Sequence, residues 1–161
     1  MSKIHYLVGD ATDPGGVGFK IIPHICNNFG GWSAGFVVAL SKKWRAPEES
    51  YRKWHADGDG FELGRSRLVP VEDDIQVCNM IAQIGHIPLS GMPPIRYFAL
   101  GSCLNNVAAV AGVLGASVHM PRIGCGLAGG KWEVVESIIE ETLVSQGIDV
   151  YVYDLEEARH E

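Results

Sequence analysis

Residues Gly124, Cys125, Gly126, Leu127, Ala128, Gly129 and Gly130 stand between a strand-like apolar run, residues 116–123, and an amphipathic helical one, residues 132–146. A glycine-rich turn joining a strand to a helix constrains a chain strongly. It gathers backbone N–H groups and a helix N-terminus around one point, which holds a pyrophosphate with few positive charges. A second such turn, residues 26–35 (Cys-Asn-Asn-Phe-Gly-Gly-Trp-Ser-Ala-Gly), also follows a strand-like run and opens a helical one. Two loops of this kind at strand C-termini face each other across a cleft and clamp one extended ligand. Gly9 and Asp10, closing the first strand, supply a carboxylate suited to a base amino group or a hydroxyl as a third wall. These residues predict a nucleotide diphosphate as ligand.

The loop matches the dinucleotide pattern G-x-G-x-x-G, but in the wrong place. That fingerprint belongs after the first strand, with several strand–helix units following, and here one helix and one strand remain. A cysteine-phosphatase loop fails too, because Lys131 stands where arginine is needed, six residues after Cys125. Cys125 is therefore read as part of a binding loop and not as a nucleophile. The other cysteines, Cys26, Cys78 and Cys103, form no C-x-x-C pair and sit among apolar residues, as buried thiols do in a reducing compartment. No metal site and no cofactor are expected.

Length and composition fit this reading. A chain of 161 residues with 47% hydrophobic and 20% charged residues is expected to form a single domain, residues 1–161. The net charge of −6 argues against a general grip on nucleic acid, which needs clustered lysine and arginine. No apolar run approaches the ~20 residues of a membrane span, and the first residues do not resemble a signal peptide. A cytoplasmic monomer without membrane contact is the expectation.

Strands are expected at residues 3–8, 20–26, 67–71, 75–82, 117–123 and 148–153, the third and fourth forming a hairpin across Glu72, Asp73 and Asp74. Helices are expected at residues 33–44, from Pro47 onward, at 94–115 and at 132–146, with Gly147 just past the last. Pro23 is an irregularity within the second strand. Strands interleaved with helices predict a three-layer α/β/α sandwich around a mixed, mostly parallel sheet.

Several segments, in this order, resemble the macrodomain family: Gly9-Asp10-Ala11, His24-Ile25-Cys26-Asn27-Asn28 through Ser33-Ala34-Gly35, Met120-Pro121-Arg122-Ile123-Gly124-Cys125-Gly126-Leu127, and Val152-Tyr153-Asp154-Leu155. The resemblance covers nearly the whole chain. Its Pro-Arg-Ile-Gly-Cys-Gly-Leu signature is most similar to the branch of the terminal ADP-ribose protein glycohydrolase, which removes ADP-ribose from glutamate and aspartate side chains. The resemblance implies ADP-ribose as ligand and ADP-ribosylated proteins as partners. Asp10 would take the adenine amino group beside Ala11 and Gly9, with Tyr153 and Leu155 along the adenine. Gly124, Cys125, Gly126 and Leu127 would cradle the diphosphate, next to Arg122 and Ile123 of the same signature. Asn28, Gly30, Gly31, Trp32, Ser33, Ala34 and Gly35 would enclose the distal ribose.

The pattern departs from that branch at its chemistry. A lysine that attacks the ribose should end the fourth strand, where this chain has Gln83, and an acid should follow Gly-Cys-Gly-Leu, where it has Ala128. A second branch uses asparagine plus an acid before the first-loop glycine; Asn28 fits, but Ala34 occupies the acid's place. Gln83 forms no Schiff base and alanine moves no proton, so the covalent lysine route is set aside. The remaining reading is hydrolysis of an already activated ester, with a water held by Asn28, Ser33 and Gln83, with His86 as a further candidate, and oriented or deprotonated by the ligand's own phosphate. A non-catalytic reader of ADP-ribose groups and an ADP-ribose-1''-phosphate phosphatase are the alternatives.

Overall fold

Val150 and Val152 point to one side of the closing strand and Tyr151 and Tyr153 to the other, and this division of faces runs through the whole sheet. The computed structural model describes residues 2–156. In chain order the strands are β1 (Ile4–Val8), β2 (Lys20–Asn27), β3 (Ser66–Glu72), β4 (Ile75–Gln83), β5 (Ser117–Met120) and β6 (Val150–Asp154). The helices are α1 (Phe36–Lys43), α2 (Ala46–Asp57), α3 (Tyr97–Leu114) and α4 (Trp132–Thr142), the last followed by a 3-10 turn at Val144–Gln146. The six strands form one sheet in the order β1-β6-β5-β2-β4-β3. All neighbours are parallel except β3 and β4, the expected hairpin. The architecture is the predicted α/β/α sandwich with a mixed, mostly parallel sheet.

On one face α3 and α4 pack against Ile21, Met80, Val118, Met120, Val150 and Val152, all fully buried. Helix α3, 18 residues long, is apolar enough to cross a membrane by length and composition. That exceeds the sequence expectation that no run comes near a span. One face of it turns inward, with Leu100, Cys103, Leu104 and Ala111 entirely buried in the core, while Phe98 and Val113 on the other side are 89% and 87% exposed. On the other face α1 and α2 cover β2 and β4 through Ile22, Leu40, Tyr51 and Val77.

This second layer is incomplete. Residues 9–19, with Pro14, Gly15, Gly16 and Gly18, lack an apolar period and cross from β1 to β2 without forming a helix. Among the described residues no helix covers the outer face of β1, β6 and β5. An open hollow of about 820 Å³ lies there, reaching Leu7, Phe19, Ser117 and Tyr151. Beside it the rings of His5, Tyr151 and His119 stack across the three strands at 4.6 and 4.9 Å.

Several boundaries differ from the expected ones for local reasons. Gly35 has φ +83°, so the helix begins at Phe36 and not at Ser33. Pro93 and Pro94 delay α3 until Tyr97, and Pro121 ends β5 at Met120. Leu143 closes α4 before the 3-10 turn, and Gly147, at φ +84°, follows that turn. Pro23 proves to be a device of the fold. The β2–β5 ladder covers only Lys20–Ser117 and Ile21–Val118, stopping just short of Pro23, which has no N–H to donate. Beyond that point β2 keeps its pairing with β4 alone, and its last residues line a cleft beside β5.

Two buried histidines tie stability to pH. His24 sits beneath α1 with Nε2 2.5 Å from Asn79 Oδ1, and His119 lies between Ser117 and Tyr153 at 2.8 Å from each hydroxyl. Burial pushes each down to about 4, with Lys20 adding to the effect at His119. Between that value and the ordinary ~6.5 the unfolded chain binds more protons than the native one, so stability falls as the pH drops through this window. The loss is about 2 kcal/mol per histidine at pH 5. A melting series from pH 7 to pH 5 is expected to show a fall on the order of 10 °C, and a flat profile would contradict the neutral, buried state of these rings.

Candidate functional site

Strand β2 runs into α1 on one face of the sheet, and its neighbour β5 leads to α4 on the other. This is the switch point at which ligands bind in open α/β sheets, and the divergence of β2 from β5 opens it. The crevice has two chambers, of about 480 and 450 Å³. Gly35, Phe36 and Pro121 belong to both, so the two make one extended cleft. The combined size suits a ligand larger than a single nucleotide.

The first chamber is walled by Gly9, Asp10, Ala11, Tyr153 and Leu155, all named in the sequence analysis, together with Lys42 and Lys43 of α1. Asp10 Oδ1 accepts from the backbone N–H (2.8 Å) and hydroxyl (2.7 Å) of Thr12. The Tyr153 hydroxyl is engaged by His119, which orients the ring.

The second chamber is formed by the two glycine loops. In the first, Asn27 is the organising residue. Its Oδ1 accepts from Phe29 N (2.8 Å) and Gly31 N (3.1 Å), and its Nδ2 donates to Gly31 O (3.0 Å). The buried Tyr51 hydroxyl braces the same turn, 2.9 Å from Asn27 Oδ1, and accepts from Gly30 N at 3.1 Å. Gly31, Ser33, Ala34 and Gly35 then line the chamber. The other first-loop residues named from sequence do not. Asn28 is turned to the loop after β4, where its Oδ1 accepts from Gly85 N (2.9 Å) and its own N–H donates to Gln83 O (3.1 Å). Trp32 is buried and donates to Ser41 Oγ, and Gly30 lies against His55.

In the second loop Arg122, Ile123, Gly124, Gly126, Leu127 and Ala128 line the chamber. The Arg122 guanidinium is committed elsewhere: it grips Asp154 at 2.8 and 3.0 Å and lies 5.1 Å from the ring centres of Tyr6 and Trp132. Cys125 packs against the α3/α4 core, its Sγ 3.5 Å from Ile123 O. Burial pushes its thiol up, away from the reactive thiolate form. Only glycine fits at three places, one of them Gly129, with φ +75° and a Cβ that would lie 2.7 Å from Pro93 Cβ. Gly124 has φ +77°, and a Cβ there would lie 2.6 Å from Ile95 Cδ1; a Cβ on Gly130 would lie 2.5 Å from the Gly124 carbonyl oxygen, which closes the loop by accepting from Gly130 N. Gly126 differs, because a Cβ there meets nothing within 4 Å.

Helix α1 starts at the joint of the chambers. It has no side-chain cap and no acid in its first turn, so the N–H groups of Phe36 and Val37 can meet an anion, while Val38 N donates to Gly35 O at 3.1 Å. Gln83 and Ala128 line the second, or distal, chamber, the one farther from Asp10, with Ser33, and Gln83 Nε2 donates to Gly85 O at 2.7 Å. Sequence reading missed Asn27, Phe36 and His24 as chamber residues. The signal for Asn27 was an asparagine two residues ahead of a backbone turn, a local capping pattern; Phe36 carried none beyond its place after Gly35. Among the described residues no cluster of histidine, cysteine or carboxylate groups could hold a metal ion.

No protein-family model matches the chain. Solved structures do. A macrodomain protein from Streptomyces coelicolor is 49% identical, with 94% of this chain and 99% of that one covered at a TM-score of 0.84. A protein of unknown function from Bacteroides thetaiotaomicron is 55% identical over 96% of this chain and 99% of that one, with a TM-score of 0.95. The chain belongs to the macrodomain family. Among curated proteins, the chromodomain-helicase-DNA-binding protein 1-like of Danio rerio is 30% identical over 160 residues, 94% of this chain and 16% of that protein. The chain thus spans less than a fifth of the first curated relatives it matches, 16% and 18% of their lengths. An ADP-ribose 1''-phosphate phosphatase from Lodderomyces elongisporus is 25% identical over 94% of this chain and 99% of its own length.

Proposed function

We propose that the cleft binds ADP-ribose and that the protein hydrolyses the ester linking mono-ADP-ribose to acidic protein side chains. The observation that carries this reading is the two-chamber cleft itself, with an uncapped helix start and a glycine loop at its middle. The adenosine end fits the first chamber, where the free edge of the Asp10 carboxylate is suited to the adenine amino group, with Gly9 and Ala11 beside it and Tyr153 and Leu155 along the ring. The diphosphate then falls at the α1 N-terminus and at the backbone of Gly124, Gly126 and Leu127, and the distal ribose enters the chamber lined by Gly31, Ser33, Ala34 and Gly35.

The chain brings no lysine and no acid to the ribose. In the proposed reaction a water oxygen bonds to the ribose C1'' and the bond from C1'' to the ester oxygen breaks. Its electron pair leaves with the carboxylate, and the water proton passes through a ligand phosphate oxygen to solvent. Ser33 and Gln83 hold the water, while Asn28 steadies the loops from behind. These groups supply positioning and dipoles, which need no titration.

The same lack of a lysine and an acid favours a second reading, a binding module without turnover. The named phosphatase relative supports a third, removal of the 1''-phosphate from ADP-ribose 1''-phosphate. A time course of ADP-ribose release from a protein mono-ADP-ribosylated on glutamate, followed by mass spectrometry, separates them. Release that slows at least tenfold in Gln83→Ala supports the hydrolase. Retention of the modified protein without release makes it a reader, and phosphate release from ADP-ribose 1''-phosphate alone makes it a phosphatase.

A further inference from the structure

The three segments around the distal chamber, residues 27–35, 84–95 and 123–130, contain no Asp, Glu, Lys or Arg, in a chain of which 20% is charged. Large apolar side chains dominate what they expose, beside Ser33, His86 and Ser90. Phe29, Ile87, Leu89, Met92 and Leu127 are 53–65% exposed. They form one rim. Phe29 packs edge-on to His86, which lines the chamber, with 6.4 Å between ring centres. Leu89 and Met92 exchange backbone hydrogen bonds in a tight turn, and Pro93 abuts Gly129 of the glycine loop that carries Leu127. Charge-free, methionine- and aromatic-bearing patches of this kind are the composition of interface cores and not of ordinary surface.

We infer that this rim is a docking surface for the polypeptide that carries the ADP-ribosyl group, and that it selects modified side chains flanked by apolar residues. The inference rests on the cleft being the ADP-ribose site, because the rim then surrounds the opening through which the group attached to the distal ribose must leave. A nucleic acid attached there would lay its phosphates across three segments that hold no cation, with the exposed Lys131 directly following the last of them. An apolar polypeptide segment buries the exposed side chains with no charge left unpaired.

The test is a titration of the full chain with four probes: free ADP-ribose, a peptide bearing ADP-ribose on a hydrolysis-resistant linkage with leucine and valine flanks, the same peptide with serine and aspartate flanks, and ADP-ribose carried by a short single-stranded DNA. The apolar peptide is expected to bind at least tenfold tighter than free ADP-ribose. In Leu89→Ser/Met92→Ser that gain is expected to vanish while the affinity for free ADP-ribose stays unchanged. Equal affinity for the two peptides and free ADP-ribose would overturn the inference and leave the cleft reading intact. So would tightest binding of the DNA probe, or a concentration-dependent dimer abolished by the serine variant. Failure of free ADP-ribose to bind would overturn the cleft reading, and the inference with it.

Discussion

Gly126→Glu is expected to lower the affinity for ADP-ribose more than a hundredfold and to leave the melting temperature within about 2 °C of the parent. Gly126 lines the distal chamber, and a Cβ there has open space in front of it. The fold therefore accepts the side chain. The carboxylate, in contrast, lands beside the site proposed for the diphosphate. Two like charges about 4 Å apart at an effective dielectric of 20 repel by about 4 kcal/mol, which alone is close to a thousandfold in binding. The neighbouring glycines should behave in the opposite way. Gly130→Ala forces a methyl group to 2.5 Å from the Gly124 carbonyl oxygen, so its loss of binding should come with a loss of stability. Calorimetric titration and thermal melting of the two variants side by side distinguish a blocked site from a broken loop. Normal ADP-ribose binding by Gly126→Glu would mean that the diphosphate lies elsewhere.

Asn27→Ala is expected to lower stability by about 3 kcal/mol and to weaken ADP-ribose at least tenfold, whereas Asn28→Ala should change affinity no more than about threefold. Asn27 makes three hydrogen bonds to the turn it heads, so its removal leaves the Phe29 and Gly31 N–H groups and the Gly31 carbonyl short of a partner, while the Tyr51 hydroxyl keeps the backbone carbonyl of residue 27. Each unmade bond in such a setting costs on the order of 1 kcal/mol. Asn28 only fastens the loop to Gly85 and to the end of β4. Chemical denaturation gives the stability difference, and titration of the folded variants gives the affinity. Equal effects of the two substitutions would restore Asn28 as a direct participant.

The contrast between these adjacent asparagines shows where sequence reading succeeds and where it stops. The positions of both glycine loops were legible, because a turn with close main-chain approach has a compositional signature that survives without tertiary information. So was the sheet, since Val150 and Val152 alternate with tyrosines and Leu68 and Val69 run into a turn before Ile75. Side-chain direction within an irregular loop was not legible. Residues 27 and 28 are the same amino acid, and only the surrounding contacts decide that one caps the turn while the other faces Gly85. Cys125 sits inside the most diagnostic motif of the chain, yet its side chain packs against the α3/α4 core while Gly124 and Gly126 on either side line the cleft. Pro23 looked like a defect in a strand and instead marks where the ladder to β5 ends and the crevice begins. The uncovered half of the second layer was also hidden, because a connection without helical period reads as a loop whether or not another element lies over the sheet.

Titration of the unmodified chain with free ADP-ribose tests the central claim most directly. The account predicts saturable binding at one site per chain, with AMP competing more weakly because it fills the first chamber and leaves the glycine loops empty. An absence of saturation up to about 1 mM ADP-ribose, a binding free energy weaker than about 4 kcal/mol, would contradict it.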